Sequence, residues 1–286
     1  MAQTNHADTI TLGGDLEVHR LAFGAMRITG DGVWGDPADP AGARRLLEQV
    51  VKDGVDLIDT ADSYGPEVSE NLIAEALHPY PEDLVIATKG GLTRPGPGSW
   101  NRSGRPERLK RCCEDSLRRL KLERIDLYQL HAVDPQVPIE DSVGALAELA
   151  QEGKIRHAGV CNVDVGQFER ARAIAPIVSV QNRYNVSDRT SEDVLTACER
   201  DGLAFLPWFP LATGKLAQPG GVIDEIARAH GATPAQVALA WLLSHSPVTV
   251  PIPGTSSIEH FEENLAATEL ELDDGEIEAL DAIASG

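Results

Sequence analysis

The chain contains no apolar run approaching the roughly 18–20 residues a transmembrane helix needs. No membrane span is expected. Its first residues, MAQTNHADT, are polar and lack the apolar core of a secretory signal, so the expected location is the cytoplasm. Cysteine is scarce: Cys112, Cys113, Cys161 and Cys198 are the only four. None forms a CxxC pair and no histidine stands at ligand spacing, which argues against a disulfide framework and a metal site. Positive charge is short as well. Lys and Arg number 25 against 45 Asp and Glu, a net charge of −20. Such a surface repels phosphate backbones and anionic headgroups, so nucleic acid and membrane are excluded as partners. Low-complexity segments and linkers are absent too. What remains is an ordinary globular mix, 42% apolar and 24% charged over 286 residues.

Along that length a short apolar strand and an amphipathic helix alternate. Thr9–His19 comes first and reads as a hairpin, TITL and LEVH around Gly13-Gly14-Asp15. Eight strand candidates follow: RLAFGAM near 20–26, VDLIDTA at 55–61, DLVIATK at 83–89, IDLYQLH at 125–131, IRHAGVCN at 155–162, IVSVQNR at 177–183, LAFLPWFPL at 203–211 and TVPIPG at 249–254. Rich in β-branched residues and Leu, with little polar alternation, they read as buried parallel strands. Helices are predicted between them, among them Ala41–Lys52, Arg105–Leu120 with Pro106 in its first turn, and Pro234–Leu243 behind the cap Thr233. Eight alternations predict an α/β fold, a (β/α)8 TIM barrel, in one domain: hairpin 9–19, then barrel and C-terminal helix over 20–286. An open doubly wound sheet is the alternative. Two long loops, Arg27–Pro40 and Gly90–Gly104, follow strands and therefore belong at the functional mouth.

Residues 30–35, GDGVWG, match the dinucleotide fingerprint GxGxxG. That motif needs a helix to start within it, so that backbone N–H groups meet the pyrophosphate. Pro37 and Pro40 delay any helix here, and Asp31 and Asp36 would repel phosphate. A glycine-rich loop over the barrel mouth is the better reading.

A different pattern carries chemistry. Asp59, Lys89 and His131 end three successive apolar strands, and Tyr64 follows Asp59 within DTADSYG. Taken singly, a strand-end Lys is usually solvated, a His or Tyr usually packs, and an Asp usually caps a turn. Together they would face one barrel mouth, where burying a carboxylate and an ammonium demands that they pair. The set suggests proton donation to a carbonyl oxygen. Tyr64 would be the acid, its pKa lowered by the Lys89 ammonium. Asp59 would hold Lys89, and His131 would orient the carbonyl or share the proton. No side chain supplies a hydride, so a cofactor is required.

On GVDLIDTADSYG (54–65), VIATKGG (85–91), IDLYQLH (125–131), GVCN (159–162), SVQNRYN (179–185), PWFPL (207–211), QVALAWLL (236–243) and PIPGTSSIEHFEENL (251–265), the chain resembles the aldo-keto reductases over nearly its whole length. The resemblance implies a (β/α)8 barrel using NADPH, or sometimes NADH, with Asp59, Tyr64, Lys89 and His131 as its catalytic tetrad. It also implies cofactor contacts from Ala25, Met26, Asp59, Cys161, Asn162 and Gln181 and a nicotinamide stacked on Trp208. Phe209, Pro210, Leu211 and Lys215 would line the pyrophosphate path. Cys161 replaces the family's usual Ser. At the adenosine end Gly254, Thr255 and His260 stand where many members carry a Lys-Ser pair and an Arg that clasp the 2′-phosphate. Ser256, Glu263 and Asn264 complete that site. Gly254, Thr255 and Ser256 still offer N–H groups and hydroxyls at a helix start.

YGPEVSENLIAEALHPYPEDLVIATK and PGTSS are most similar to the bacterial pyridoxal-reductase-like subgroup, which would make pyridoxal a substrate. A keto-sugar reductase, or an NADPH-binding regulatory subunit with little turnover, stays open. Loop position nominates Met26, Trp34, Trp100, Asn101 and Arg102 as substrate-pocket wall. Nothing demands an interface, and a monomer is expected. Since NADPH is polyanionic, the mouth is expected to be less negative than the rest, with Lys89, Arg94, Arg102, Arg105 and Lys215 following strand ends.

Overall fold

Strands with no polar alternation need cover on both faces. The computed structural model, which describes residues 9–211 and 220–285, gives them that cover. In chain order the elements are β1 (Thr9–Leu12), β2 (Leu16–His19), β3 (Phe23–Gly24), α1 (Pro40–Lys52), β4 (Leu57–Asp59), α2 (Val68–Leu77) and β5 (Val85–Gly90). Next come β6 (Leu92–Gly96), β7 (Ser99–Arg102), α3 (Pro106–Leu120), β8 (Ile125–Leu130), α4 (Ile139–Gln151), β9 (Ile155–Cys161) and α5 (Val165–Arg172). The chain continues through β10 (Ile177–Gln181), α6 (Glu192–Asp201), β11 (Ala204–Phe205), α7 (Val222–His230), α8 (Pro234–His245), α9 (Ile258–Ala266) and α10 (Asp274–Asp281).

The central sheet is parallel and seven-stranded, in the order β11-β10-β9-β8-β5-β4-β3. The predicted eighth strand, TVPIPG, does not form a regular strand. Pro251 and Pro253 have no N–H to give to a ladder, so pairing there is one-sided. The segment closes the barrel nonetheless. Phe205 donates to the Val248 carbonyl and accepts from Val250, both at 2.8 Å, while Ala22 and Gly24 donate to the Pro251 and Pro253 carbonyls at 3.0 and 3.1 Å. The seam is tight: a Cβ at Gly24 would stand 2.6 Å from the Ile252 carbonyl oxygen, and one at Gly254 would stand 2.7 Å from that of Gly24.

Caps set the helices where the sequence places them. Asp39 accepts the Gly42 N–H ahead of Pro40, and Thr233 with Gln236 forms a reciprocal box ahead of Pro234. The core has two layers. Between strands and helices, residues such as Leu46, Ile73, Leu109, Leu146, Phe168 and Trp241 are fully buried. Inside the barrel, Leu12, Leu16 and Val18 of the β1–β2 hairpin pack on Leu57, Val85, Leu127 and Val250. The hairpin thus plugs the N-terminal end and leaves the C-terminal mouth for polar groups. At that mouth the segment 90–104, read as an irregular loop, folds into the antiparallel β6–β7 hairpin turning at Pro97-Gly98. No described helix is long and apolar enough to cross a membrane.

Candidate active site

Asp59 is the last residue of β4, paired in register with Ala87 of β5. Two positions on, Lys89 lies opposite Gln129 of β8. His131 follows β8, its N–H bonded to the Gly90 carbonyl at 2.8 Å. Tyr64 is carried by a tight turn after β4. Asp62 N–H binds the Lys89 carbonyl at 3.3 Å, Tyr64 N–H binds the Ala61 carbonyl at 3.1 Å, and Gly65 takes φ 102°, a value open to glycine. These four side chains meet at the mouth.

Lys89 Nζ donates to Asp59 Oδ2 at 2.6 Å, to the Thr60 carbonyl at 2.8 Å and to the Tyr64 hydroxyl oxygen at 3.3 Å. Both ions are buried, Lys89 to 0% and Asp59 to 2% side-chain exposure. Isolated charges there would each cost several kcal/mol, so full pairing is what allows them. The second carboxylate oxygen of Asp59 accepts from Gln181 Nε2 at 2.8 Å and Gln129 Nε2 at 3.3 Å. The Tyr64 and His131 rings meet edge-on, centroids 5.7 Å apart.

The electrostatics depart from the simple expectation for Tyr64. Burial outweighs the Lys89 ammonium, and the phenol is pushed up to about 12 instead of being lowered. Lys89 acts in the expected direction on it but loses to desolvation. For Lys89 itself, burial pulls downward while Asp59 and Tyr64 push upward, and the ammonium ends above its ordinary value. His131 is held well below the usual imidazole range by burial and by the Lys89 charge, so the ring is neutral.

Asp59, Tyr64 and His131 open onto a cavity of about 530 Å³, with Lys89 buried behind them and off its wall; the volume is within the ~300–1,000 Å³ typical of small-molecule sites. Its wall includes Asp59, Tyr64 and His131, together with Met26, Trp100, Asn162, Gln181, Trp208, Phe209, Pro210, Leu211 and Gly254 from the residues singled out in the sequence. Trp34, Asn101 and Arg102 are not on it. Trp34 pairs its backbone with Gly65 beside the cavity, and Asn101 and Arg102 are exposed on β7. Ala25 and Cys161 are buried off the wall, and the Cys161 thiol donates to Gln129 Oε1 at 3.7 Å. Lys215 lies outside the described residues. Arg27, Val33, Leu92 and Ile252 line the cavity without having been expected to. Arg27, Val33 and Leu92 share one legible signal, their position in the two long loops that follow strands.

The wall fits a nicotinamide dinucleotide. The Trp208 ring offers a flat face, held where its indole N–H donates to Asn162 Oδ1 at 2.9 Å; Asn162, at φ 56°, in turn donates to the His131 carbonyl at 2.9 Å. Phe209, at φ 62°, has its carbonyl fixed by Asn185 Nδ2 at 3.1 Å and lines the cavity with Pro210 and Leu211. Farther out, Ser257 caps α9 by accepting the His260 N–H at 3.4 Å, and the Thr255 hydroxyl accepts the Ser257 N–H at 3.1 Å. Ser256 and His260 are exposed there, Glu263 is half-buried and Asn264 is buried. The glycine-rich stretch 30–35 folds on itself, Gly30 N–H to the Gly35 carbonyl at 2.9 Å, and no α-helix begins until Pro40. It does not have the form of a phosphate-binding turn.

Comparison with known proteins points the same way. The Aldo/keto reductase family model matches residues 20–285. Pyridoxine 4-dehydrogenase of Escherichia coli is 42% identical over 284 residues, covering 97% of this chain and 99% of the relative. Among solved structures, a glycerol dehydrogenase from Gluconobacter oxydans superposes with a TM-score of 0.88 at 30% identity, covering 97% of this chain and 95% of its own. An aldo/keto reductase from Klebsiella pneumoniae, solved in complex with NADP and acetate, gives 0.83 at 27% identity over 97% of this chain and 95% of its own.

Proposed function

The chain belongs to the aldo/keto reductase family, and from that premise we propose that it reduces a small aldehyde or ketone to an alcohol with NADPH. The observation that carries the reading is the placement of Lys89 Nζ, 2.6 Å from Asp59 and 3.3 Å from the Tyr64 hydroxyl, directly behind the cavity wall that Asp59 and Tyr64 form. A bound nicotinamide supplies the hydride. Trp208, Asn162 and Gln181 would hold its ring and amide. Phe209–Leu211 and Gly254 would follow the chain of phosphates, with Thr255, Ser256, His260, Glu263 and Asn264 at the adenosine end.

The remaining work belongs to this chain's own groups. The substrate carbonyl oxygen binds between the Tyr64 hydroxyl and the neutral His131 ring. Tyr64, with its pKa near 12, is fully protonated at neutral pH, the form a proton donor needs. As negative charge grows on the oxygen, Tyr64 delivers its proton, and the Lys89 ammonium stabilises the phenolate left behind. Asp59 keeps that ammonium in place. Trp100, Leu92 and Met26 make the site apolar and exclude water.

Pyridoxal is the substrate we favour, supported by the 42% identity to pyridoxine 4-dehydrogenase over nearly the full length of both chains. The flat aromatic walls suit a pyridine ring. The test follows absorbance at 340 nm with NADPH and pyridoxal, and in parallel with 4-nitrobenzaldehyde. Turnover of both supports the reading. Turnover of the nitro compound alone retains carbonyl reduction and discards pyridoxal. Tight NADPH binding with no turnover across a broad carbonyl panel overturns it.

A further inference from the structure

Arg94 gathers three separate segments at the rim of the cavity. Its Nη1 donates to the Val33 and Ser63 carbonyls at 2.7 and 3.0 Å, its Nη2 to the Gly32 carbonyl at 2.8 Å, and its Nε to the Ser99 carbonyl at 2.8 Å. The guanidinium also stacks on Trp100, 3.6 Å from the ring centroid, and stands 5.7 Å from that of Trp34. One side chain thus ties the glycine-rich loop, the turn that carries Tyr64, and the two strands of the β6–β7 hairpin.

Core packing does not set where that hairpin stands. All four residues of β7 are exposed, and Trp100 itself is 37% exposed. The Trp100 ring nevertheless meets those of Tyr64 and His131 edge-on, centroids 6.4 Å away in both cases, and forms part of the cavity wall. An exposed indole held in one place needs a partner, and the cation stacked on it is that partner. The planar guanidinium fork can reach four carbonyls on three segments at once. A lysine ammonium, a single point on a flexible stem, cannot.

We propose that Arg94 is a positioning residue that sets substrate specificity: it fixes Trp100 as a wall over Tyr64 and His131 and so fits the cavity to flat, ring-bearing carbonyl compounds. It touches no reacting atom. Without it the hairpin keeps only the Gly98 N–H to Gly32 carbonyl bond at 3.1 Å to the glycine-rich loop, loses its direct tie to the Tyr64 turn, and the wall moves.

The test has two arms, and only the first rests on the carbonyl-reductase reading. In that arm kcat and KM are measured with 4-nitrobenzaldehyde and with a short aliphatic aldehyde for Arg94→Ala, Trp100→Ala and the double variant. Small displacements of a positioning wall can cost on the order of a hundredfold. Each single variant is therefore expected to lose about ten- to hundredfold in kcat/KM for the aromatic substrate, mainly through KM, and less for the aliphatic one. NADPH affinity from fluorescence titration stays unchanged. The double variant is expected to be no worse than the poorer single one, because Arg94 acts through Trp100. In the second arm, hydrogen exchange of the amides over 92–102 should quicken in Arg94→Ala and in Arg94→Lys alike. Losses that multiply in the double variant, or hairpin exchange left unchanged by Arg94→Ala, overturn the proposal. If Arg94→Ala does not fold, Arg94→Gln, which keeps length without the fork, is read the same way. A wild-type chain that reduces no carbonyl refutes the proposed function, and the exchange arm alone then decides this one.

Discussion

The Ser63 hydroxyl oxygen lies 3.3 Å from Nδ1 of His131. The ring is neutral, because burial and the Lys89 charge hold its pKa well below the ordinary value of 6.5. A neutral imidazole has one protonated nitrogen, and the partner of one nitrogen decides the state of the other. Ser63 thereby leaves Nε2 as the nitrogen available to a carbonyl in the cavity. Ser63→Ala should lower kcat by about fivefold, the value of one ordinary hydrogen bond of roughly 1 kcal/mol, with KM little changed. The pH profile of kcat/KM in the wild type should show no step near 6.5. A clear ionisation there would mean that His131 titrates as an exposed imidazole does.

Tyr64→Phe removes the proton donor and leaves the packing of the ring. It should cost on the order of 10²–10⁴-fold in kcat, the usual contribution of general acid catalysis, while NADPH still quenches protein fluorescence as in the wild type. Lys89→Met should cost a comparable factor and also lower stability, because it leaves the 2%-exposed Asp59 carboxylate without its cation. A Tyr64→Phe enzyme with undiminished turnover would falsify the assignment of the proton donor.

Between these residues stands an acid with no part in the chemistry. Asp62 is buried, its Oδ1 has no hydrogen-bond partner, and burial, with Glu70 adding, pushes its carboxyl up to about 7. In the unfolded chain the same group titrates near 3.9. The folded state therefore binds more protons between those values. The stability Asp62 allows is complete below about pH 4 and is lost as pH rises through 7. Asp62→Asn removes that loss. It should stabilise the protein at pH 8 by ~2–4 kcal/mol and change little at pH 4. Urea midpoints at the two pH values check this, and equal shifts at both would show that the carboxyl is not titrating between them.

Much of this was legible beforehand, for identifiable reasons. Strands with little polar alternation such as VIATKG, buried at all six positions, belong to a sheet covered on both faces. Asp59, Lys89 and His131 stood out as polar residues ending such strands. Three things were hidden. Side-chain direction in a loop has no periodicity, so loop position does not separate Trp100, Leu92 and Val33, which line the cavity, from Trp34, Asn101 and Arg102, which do not. The Pro97-Gly98 turn gave no hint of the pairing of Leu92 with Arg102 that makes 92–102 a hairpin. For Tyr64 the sequence shows the charge of Lys89 but not the burial that opposes it, and the sign of the net shift depends on which is larger.

The adenosine end offers the sharpest test of cofactor choice. A basic side chain at position 254 is excluded sterically, since even a Cβ there would stand 2.7 Å from the Gly24 carbonyl oxygen. Position 260 carries no such restriction. His260 is exposed in the first turn of α9, and its backbone N–H is already used by the Ser257 cap. A longer cation can be placed there without disturbing the helix. His260→Arg should tighten NADPH relative to NADH by about tenfold, since a bidentate guanidinium–phosphate pair is worth roughly 1.5–3 kcal/mol at a partly exposed site. The added positive charge on a chain of net charge −20 would favour both cofactors slightly, so the ratio of the two dissociation constants is the quantity to measure. An unchanged ratio would place the 2′-phosphate away from residue 260, and the backbone N–H groups and hydroxyls of Gly254–Ser256 would then be its remaining hosts on this loop.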